Sequence, residues 1–133
     1  MPPAKHLYEY AVLRVVPRVE REEFLNVGVI VYCRDQGFLQ CAFELSEARL
    51  RAFAGPAPDL SELTARLRSF QRICGGQAEG GPIGRLSLAE RFRWLTATRS
   101  TVVQTSPVHP GRCEDATQTL AQLFAQLVQT PAA

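Results

Sequence analysis

The apolar run from Val27 to Cys33 restricts the fold more than any other part of the sequence. It is dominated by β-branched residues, which favour an extended strand that is buried on both faces. It is far shorter than the roughly 20 apolar residues that a membrane-spanning helix needs. The run therefore predicts a buried strand, and Gly28 within it indicates a bulge or the close approach of another group.

Two further stretches predict strands beside this one. Leu7 to Val16 places apolar side chains on both faces, and Pro17 ends it. Phe38 to Leu45 alternates between an apolar face and a more polar face, and the short segment 35–37 before it predicts a tight hairpin loop. We therefore predict three consecutive antiparallel strands.

Three helices, a fourth strand and a last helix are predicted to follow. The expected helix N-caps are Ser46, Asp59, Ser87 and Asp115. Apolar residues at helical spacing extend from Leu60 to Cys74 and from Leu120 to Val128. Thr101 to Thr105 predicts the strand. Gly75 to Arg85 is interpreted as a mobile loop and Ser106 to Gly111 as a rigid loop.

The predicted order of elements is β-β-β-α-α-α-β-α, which indicates the α+β class. Its simplest architecture is a two-layer sandwich, in which an antiparallel sheet of about four strands carries helices packed mainly on one face. A chain of 133 residues is expected to form one domain over 1–133, with frayed termini at 1–5 and 131–133.

Charge and cysteine spacing restrict the classes of function. A net charge of +2 gives little electrostatic reason to expect nucleic-acid or membrane binding. No pair among the four cysteines has C-x-x-C spacing, so no metal site is predicted, and Cys33 and Cys41 are interpreted as small core residues. No secretory signal or cofactor motif is recognised. We expect a reduced, cytoplasmic bacterial protein without a cofactor.

Fourteen of the fifteen basic residues are arginine. This bias has two interpretations: the codon usage of a GC-rich genome, or bidentate recognition of phosphate or carboxylate groups. The arginines of the predicted helices are interpreted as solvated surface, and they include Arg66, Arg68, Arg72, Arg91 and Arg93.

Three segments of the chain carry a family likeness, namely Tyr10 to Pro17, Glu23 to Val29 and Arg99 to Ser106. Together they resemble the bacterial family catalogued as domain of unknown function 3037, over nearly the whole chain. The most specific element is Glu-Phe-x-Asn-Val-Gly-Val. Family members usually carry Arg-Gly before it, where this chain has Arg21-Glu22. The resemblance implies no activity; it implies a regulatory or accessory role, with a kinase-like protein as a partner to consider.

Polar residues of the first two strands are candidates for a binding site. Arg14 interrupts an apolar strand, and either pairs with an acidic residue of the next connection or binds an anionic ligand. Those acidic residues, interpreted as a solvated turn rather than an acid/base or Mg²⁺ site, are Glu20, Glu22 and Glu23. Asn26 either satisfies backbone groups at the strand entry or faces a ligand, with Gly28 clearing space beside it.

A second group of polar candidates lies around the fourth strand and comprises Arg99, Ser100, Gln104, Ser106 and His109. His109 stands between two prolines, and is either a general base or an exposed loop residue. No nucleophile-elbow pattern accompanies the serines, so a Ser–His catalytic pair is not predicted.

Two main hypotheses for function follow. The first is a non-catalytic protein-interaction or accessory module, since no catalytic constellation is recognised. The alternative is a small enzyme or ligand-binding domain for a phosphorylated or carboxylated small molecule. Its cleft would be built from Arg14, Asn26, Arg99, Gln104 and His109, which requires the first, second and fourth strands to be neighbours. Nucleic-acid binding through basic helix faces is a third option.

Overall fold

A five-stranded antiparallel sheet forms the centre of the structure, a computed structural model that describes residues 5–56, 59–76, 80–99 and 101–129. The strands are β1 (His6–Val15), β2 (Leu25–Cys33), β3 (Phe38–Phe43), β4 (Val103–Thr105) and β5 (His109–Cys113). Their order is β3-β2-β1, and the opposite edge of β1 pairs with both β4 and β5. The fourth strand therefore joins the same sheet as the meander, as its short length requires.

Strand β1 lies between all of its partners. Its second half pairs with β4, where Arg14 is opposite Gln104, and its first half pairs with β5, where Tyr10 is opposite His109. Its other edge pairs with β2 along nearly its whole length. Both edges of β1 are therefore hydrogen-bonded, which makes it a central strand of the sheet.

In the described part of the chain, four α-helices and two short 3₁₀ turns surround the sheet. The helices are α1 (Glu47–Ala54), α2 (Leu60–Gly75), α3 (Leu88–Leu95) and α4 (Ala116–Leu127), and the turns are Val19–Arg21 and Ile83–Arg85. Each helix begins at the N-cap that the sequence predicts, with a side-chain oxygen accepting a backbone N–H of the first turn. Among the described residues, no helix is long and apolar enough to cross a membrane.

Helices cover both faces of the sheet. On the face that we call the helical face, α1, α2 and α3 pack against Leu13, Ile30 and their neighbours. On the other face, the α4 face, α4 packs against Val29, Val31 and Cys33. The predicted α+β class, with an antiparallel sheet and helices mainly on one face, is confirmed. Helix α4 adds a further layer on the second face, because β2 is apolar on both sides.

A β-bulge interrupts the pairing of β1 with β2. Leu13 is opposite Gly28, but the next residue, Arg14, is opposite Asn26, so Val27 is the extra residue. A Cβ atom on Gly28 would lie 2.6 Å from the carbonyl oxygen of Ala42 and 2.9 Å from a methyl carbon of Leu13. The indication from Gly28 is therefore correct on both counts, since the bulge and the close approach are found at the same place.

The prediction of a loop from Ser106 to Gly111 is wrong, because β5 begins at His109. Pro107 and Pro110 give the segment the sequence pattern of a loop, but an edge strand tolerates proline. Ser106 spans the break between β4 and β5. Its hydroxyl accepts the N–H of Val12 at 2.8 Å and its own N–H donates to the Val12 carbonyl at 2.8 Å.

Three predictions concern residues whose structure is only partly described. The expected fraying of the termini falls on 1–5 and 131–133, of which all but Lys5 lie outside the described residues. The predicted mobile loop from Gly75 to Arg85 includes 77–79, also outside them, and the described part of it contains the turn Ile83–Arg85. Ser100, a candidate site residue, lies outside them as well.

We expect Gly28→Ala to lower the free energy of unfolding by about 1–3 kcal/mol, because the added methyl group collides with backbone that cannot move away. Urea denaturation followed by circular dichroism measures this change. Gly75→Ala is the matched control, since a Cβ atom there would meet nothing within 4 Å. Equal stability of the two variants would show that β3 does not approach Gly28 as closely as described.

Candidate functional site

Helix α4 covers the α4 face only in part. It packs over β2 and β3, whereas β1, β4 and β5 keep accessible side chains on the same face. We call this uncovered part, with the adjoining start of β2 at Asn26, the open face. Its accessible or half-buried side chains are those of Tyr8, Tyr10, Arg14, Asn26, Gln104 and His109, and Val12 lies buried among them. It is the place where predicted site residues converge.

The bulge in β2 brings Asn26 to Arg14. In a regular register that continued from Leu13 and Gly28, Arg14 would face Val27. The bulge instead places Val27 in the core of the helical face and Asn26 opposite Arg14. Gln104 of β4 is opposite Arg14 on the other side. The three polar residues therefore form one row across three strands.

Arg14 is held by stacking rather than by an ion pair. Its guanidinium carbon lies 3.8 Å from the centroid of the Phe24 ring, and Phe24 itself is 43% exposed. Burial lowers the pKa of the Arg14 guanidinium. Its Nε is buried, and no acceptor for it is found among the described residues. Within the described residues, the glutamates of the connection that follows β1 do not pair with Arg14; Glu23 pairs with Arg21.

The Asn26 side chain has one atom with a hydrogen-bond partner and one atom without. Its Nδ2 donates to the carbonyl oxygen of Leu127 at 3.2 Å, which ties β2 to the end of α4. Its Oδ1 is buried, and within the described part of the chain it accepts no hydrogen bond. A buried polar group without a partner costs about 1–3 kcal/mol. The fold thus carries two such groups on directly opposite residues, Arg14 and Asn26.

Aromatic side chains continue the open face away from Arg14. The rings of Tyr8 and Tyr10 have centroids 6.1 Å apart, and the Tyr10 and His109 rings have centroids 5.3 Å apart. The Tyr8 ring lies over Gly111, where a Cβ atom would come within 2.4 Å of it. Burial, Tyr10 and Cys113 raise the pKa of Tyr8, so Tyr8 is neutral at physiological pH. The result is a row of three rings beside a guanidinium.

The outer surface of α4, next to the open face, carries no charge. From Ala116 to Gln129 the sequence contains no Asp, Glu, Lys, Arg or His. The exposed side chains of the helix are those of Thr117, Gln118, Ala121, Gln122, Ala125 and Gln126. Charged residues are depleted at the centres of protein–protein interfaces, and this surface shares that feature.

Arg99 does not join the open face. Its Nη1 donates to the Leu95 carbonyl at 2.6 Å and its Nη2 to the Trp94 carbonyl at 2.7 Å, so it caps the end of α3. Burial lowers the pKa of Arg99, whose guanidinium also faces the Phe70 ring of the helical face. Gly28 also faces that side. Of the cleft predicted from the sequence, Arg14, Asn26 and Gln104 come together. His109 lies on the same face but opposite Tyr10, four residues along β1 from Arg14, and Arg99 does not join them.

Ser106 and His109 are the residues of this region that could take part in a catalytic Ser–His pair. Ser106 is 2% exposed, and its hydroxyl donates to the Pro107 carbonyl and accepts the N–H of Val12. His109 is exposed and contacts the Tyr10 ring, and no hydrogen bond from the described residues orients either ring nitrogen. A general base in a catalytic pair needs such an orienting partner.

Arg91 has a structural role at the end of α2. The prediction that it is solvated surface is wrong, because Arg91 is buried and its guanidinium donates to the carbonyls of Ile73, Cys74 and Leu86. Its helical spacing with Leu88, Phe92 and Leu95 indicates this burial in the sequence, since it places Arg91 on the inward face of α3.

Comparison with known proteins gives one match. The model of a family described as Protein of unknown function (DUF3037) matches residues 10–128. That span extends from β1 to the end of α4 and contains most of the open face. No curated protein and no solved structure matches the chain. The resemblance inferred from the three segments is confirmed.

We expect Arg14→Met to raise the free energy of unfolding by about 1 kcal/mol, because methionine keeps the contact with Phe24 but removes a buried N–H without an acceptor. Arg99→Met should instead lower it by about 1.5–3 kcal/mol, because carbonyls at the end of α3 lose a charged donor. Urea denaturation of both variants measures the difference. If Arg14→Met destabilises the protein as much as Arg99→Met does, Arg14 serves the fold and not a ligand.

Proposed function

Since the chain belongs to the DUF3037 family, whose description assigns no activity, we propose from its geometry that it is a non-catalytic protein-interaction module. The module binds an acidic segment of a partner protein on the open face, and Arg14 is the anchor of the contact. The observation that carries this proposal is the pair of buried, unsatisfied atoms, Arg14 Nε and Asn26 Oδ1, on opposite residues of neighbouring strands.

The chemistry of these two atoms favours a polypeptide. Arg14 Nε–H needs an acceptor and Asn26 Oδ1 needs a donor. A carboxylate or a fully ionised phosphate offers acceptors only, and would leave Asn26 unsatisfied. A peptide group offers both an N–H and a carbonyl. An acidic side chain on the same segment supplies the negative charge that would pair with the Arg14 guanidinium. An acidic polypeptide therefore satisfies the whole pair.

The surroundings of the pair also support a protein partner. Tyrosine and arginine are the residues that most often dominate binding energy at interfaces. Here Tyr8 and Tyr10 lie on the same strand and face as Arg14, and the exposed side of α4 beside them is free of charge. The contact of Arg14 with Phe24 involves no hydrogen bond, so the guanidinium can reorient when a partner approaches.

The accessory role implied by the family resemblance agrees with a module of this kind, and a kinase-like protein is the first partner to test. A binding role is also supported by the state of Ser106, Arg99 and His109. The first two have hydroxyl or guanidinium groups engaged with backbone carbonyls, and His109 has no orienting hydrogen bond within the described residues.

A small anionic ligand is the second candidate, and one observation favours it. Gln104 lies opposite Arg14 and completes the polar row, as a site for a carboxylated or phosphorylated small molecule would require. Such a ligand binds the native state and raises the melting temperature. A thermal-shift screen with carboxylates and nucleotides tests it, with Arg14→Gln as the variant in which the shift should disappear.

The main proposal is tested by affinity capture from the native host with three immobilised proteins: the wild type, Arg14→Gln and Arg93→Gln. Arg93 is the matched control, because its side chain is 64% exposed and it pairs with Glu9, away from the open face. We expect one partner to be retained by the wild type and by Arg93→Gln and lost by Arg14→Gln. Direct titration of that purified partner against the three proteins then measures a loss of affinity of at least about tenfold, as for the removal of a charged hydrogen bond.

Two results would overturn the proposal. One is capture of the same partner, with equal affinity, by Arg14→Gln. The other is recovery of the protein alone from the host at every salt concentration. Circular dichroism and the melting temperature of each variant confirm that a lost partner does not reflect a lost fold.

A further inference from the structure

The four cysteines, all in the free thiol form, lie as two pairs. Cys41 of β3 packs against the core of the helical face that contains Cys74, near the end of α2, and Cys33 of β2 lies with Cys113 of β5 in the core of the α4 face. The sequence gives no sign of these pairs, because their members are far apart along the chain. A disulfide forms only when two sulfurs reach about 2.05 Å, which restricts it here to cysteines of the same core.

The two pairs differ in access to small molecules. Cys41 is half-buried, and both Cys41 and Cys74 line a groove of about 530 Å³ between β3 and the ends of α2 and α3. Cys33 is 0% exposed and Cys113 is 6% exposed. Both pack in the core of the α4 face with Ala116, at the start of α4. A reagent that enters the groove therefore meets Cys41, the accessible member of the first pair, since Cys74 is 5% exposed, and it meets neither cysteine of the second pair.

We propose that Cys41 and Cys74 form a redox-active dithiol, which small disulfides entering the groove convert to an intramolecular disulfide. The sulfur of Cys41 attacks a small disulfide R–S–S–R, forms a mixed disulfide and releases one R–SH. The sulfur of Cys74 then attacks the Cys41 sulfur and releases the second R–SH. The two protons of the cysteine thiols pass to the two leaving thiols, the cysteines are oxidised and the small disulfide is reduced.

Cys41 attacks first because it is the more exposed of the two cysteines. Its reaction is slow, because the neighbouring Cys74 thiol and burial raise the pKa of the Cys41 thiol. Since the thiolate is the attacking species, the reaction is slow at neutral pH and needs an excess of oxidant. The dithiol is therefore stable in the reduced state and responds to a sustained oxidising environment.

The consequence of oxidation is confined to one side of the protein. The bond would join β3 to α2 on the helical face, where Cys74 belongs to the core and Cys41 packs against it. A cross-link between elements far apart in the sequence restricts the unfolded chain and raises the melting temperature. The open face is on the other side of the sheet, so binding there should not change.

The test uses the purified full chain with bis(2-hydroxyethyl) disulfide, a small neutral oxidant, at mildly alkaline pH. Remaining thiols are then alkylated under denaturing conditions, and the disulfides are mapped by peptide mass spectrometry. We expect one intramolecular disulfide, between Cys41 and Cys74, with Cys33 and Cys113 alkylated. The oxidised protein should also show a higher melting temperature, which a reductant reverses.

Variants separate the dithiol from a single reactive cysteine. In Cys74→Ser the mixed disulfide on Cys41 should accumulate, whereas Cys33→Ser, the matched control, should still form the bridge. The proposal is overturned if all four thiols of the folded wild type stay reduced, if the disulfide joins Cys33 to Cys113, or if Cys41 forms only disulfides between two molecules. Mapping of the wild type decides this even if a variant fails to fold.

Discussion

The pairing of β1 with β2, with its single extra residue at Val27, is the constraint on which the rest of the structure depends. It decides which residues of β2 face which layer of helices. Because of the bulge, Val27 enters the core of the helical face, and Asn26 reaches both Arg14 and the end of α4. The core and the candidate site are therefore set by one local feature, and Gly28 is required beside it because β3 passes too close for a side chain.

Arginine side chains also cap the ends of helices in this fold. The last carbonyls of a helix lack partners within the helix, and here guanidinium groups from other positions supply them. Arg91 serves the end of α2, Arg99 the end of α3 and Arg49 the Val128 carbonyl after α4. Arginine suits this task because it always carries charge and presents several donors at once. Among the arginines of the described residues that are at least partly buried, Arg14 is distinctive, since no carbonyl or carboxylate described there accepts a hydrogen bond from it.

The sequence predicted most elements because each depends on local chemistry. The N-caps at Ser46 and Asp59 follow from side chains near their own backbone, and β2 follows from an unbroken apolar run. What failed depends on distant contacts. β5 contains Pro110 and becomes a strand only because β1 supplies its partner, and Ser106 replaces a missing backbone group between two strands. No local pattern carries such information.

The candidate site divides in the same way. That Arg14 and Asn26 are anomalous follows from the sequence alone, because each places a polar group in an apolar strand. That they face each other depends on a bulge whose register only the structure gives. Arg99 is equally a candidate from the sequence, yet its guanidinium caps the end of a helix. A buried polar residue becomes a functional candidate only when its partners have been counted. By that measure the fold keeps two unsatisfied atoms at one point of an uncovered face, where a binding partner would satisfy them.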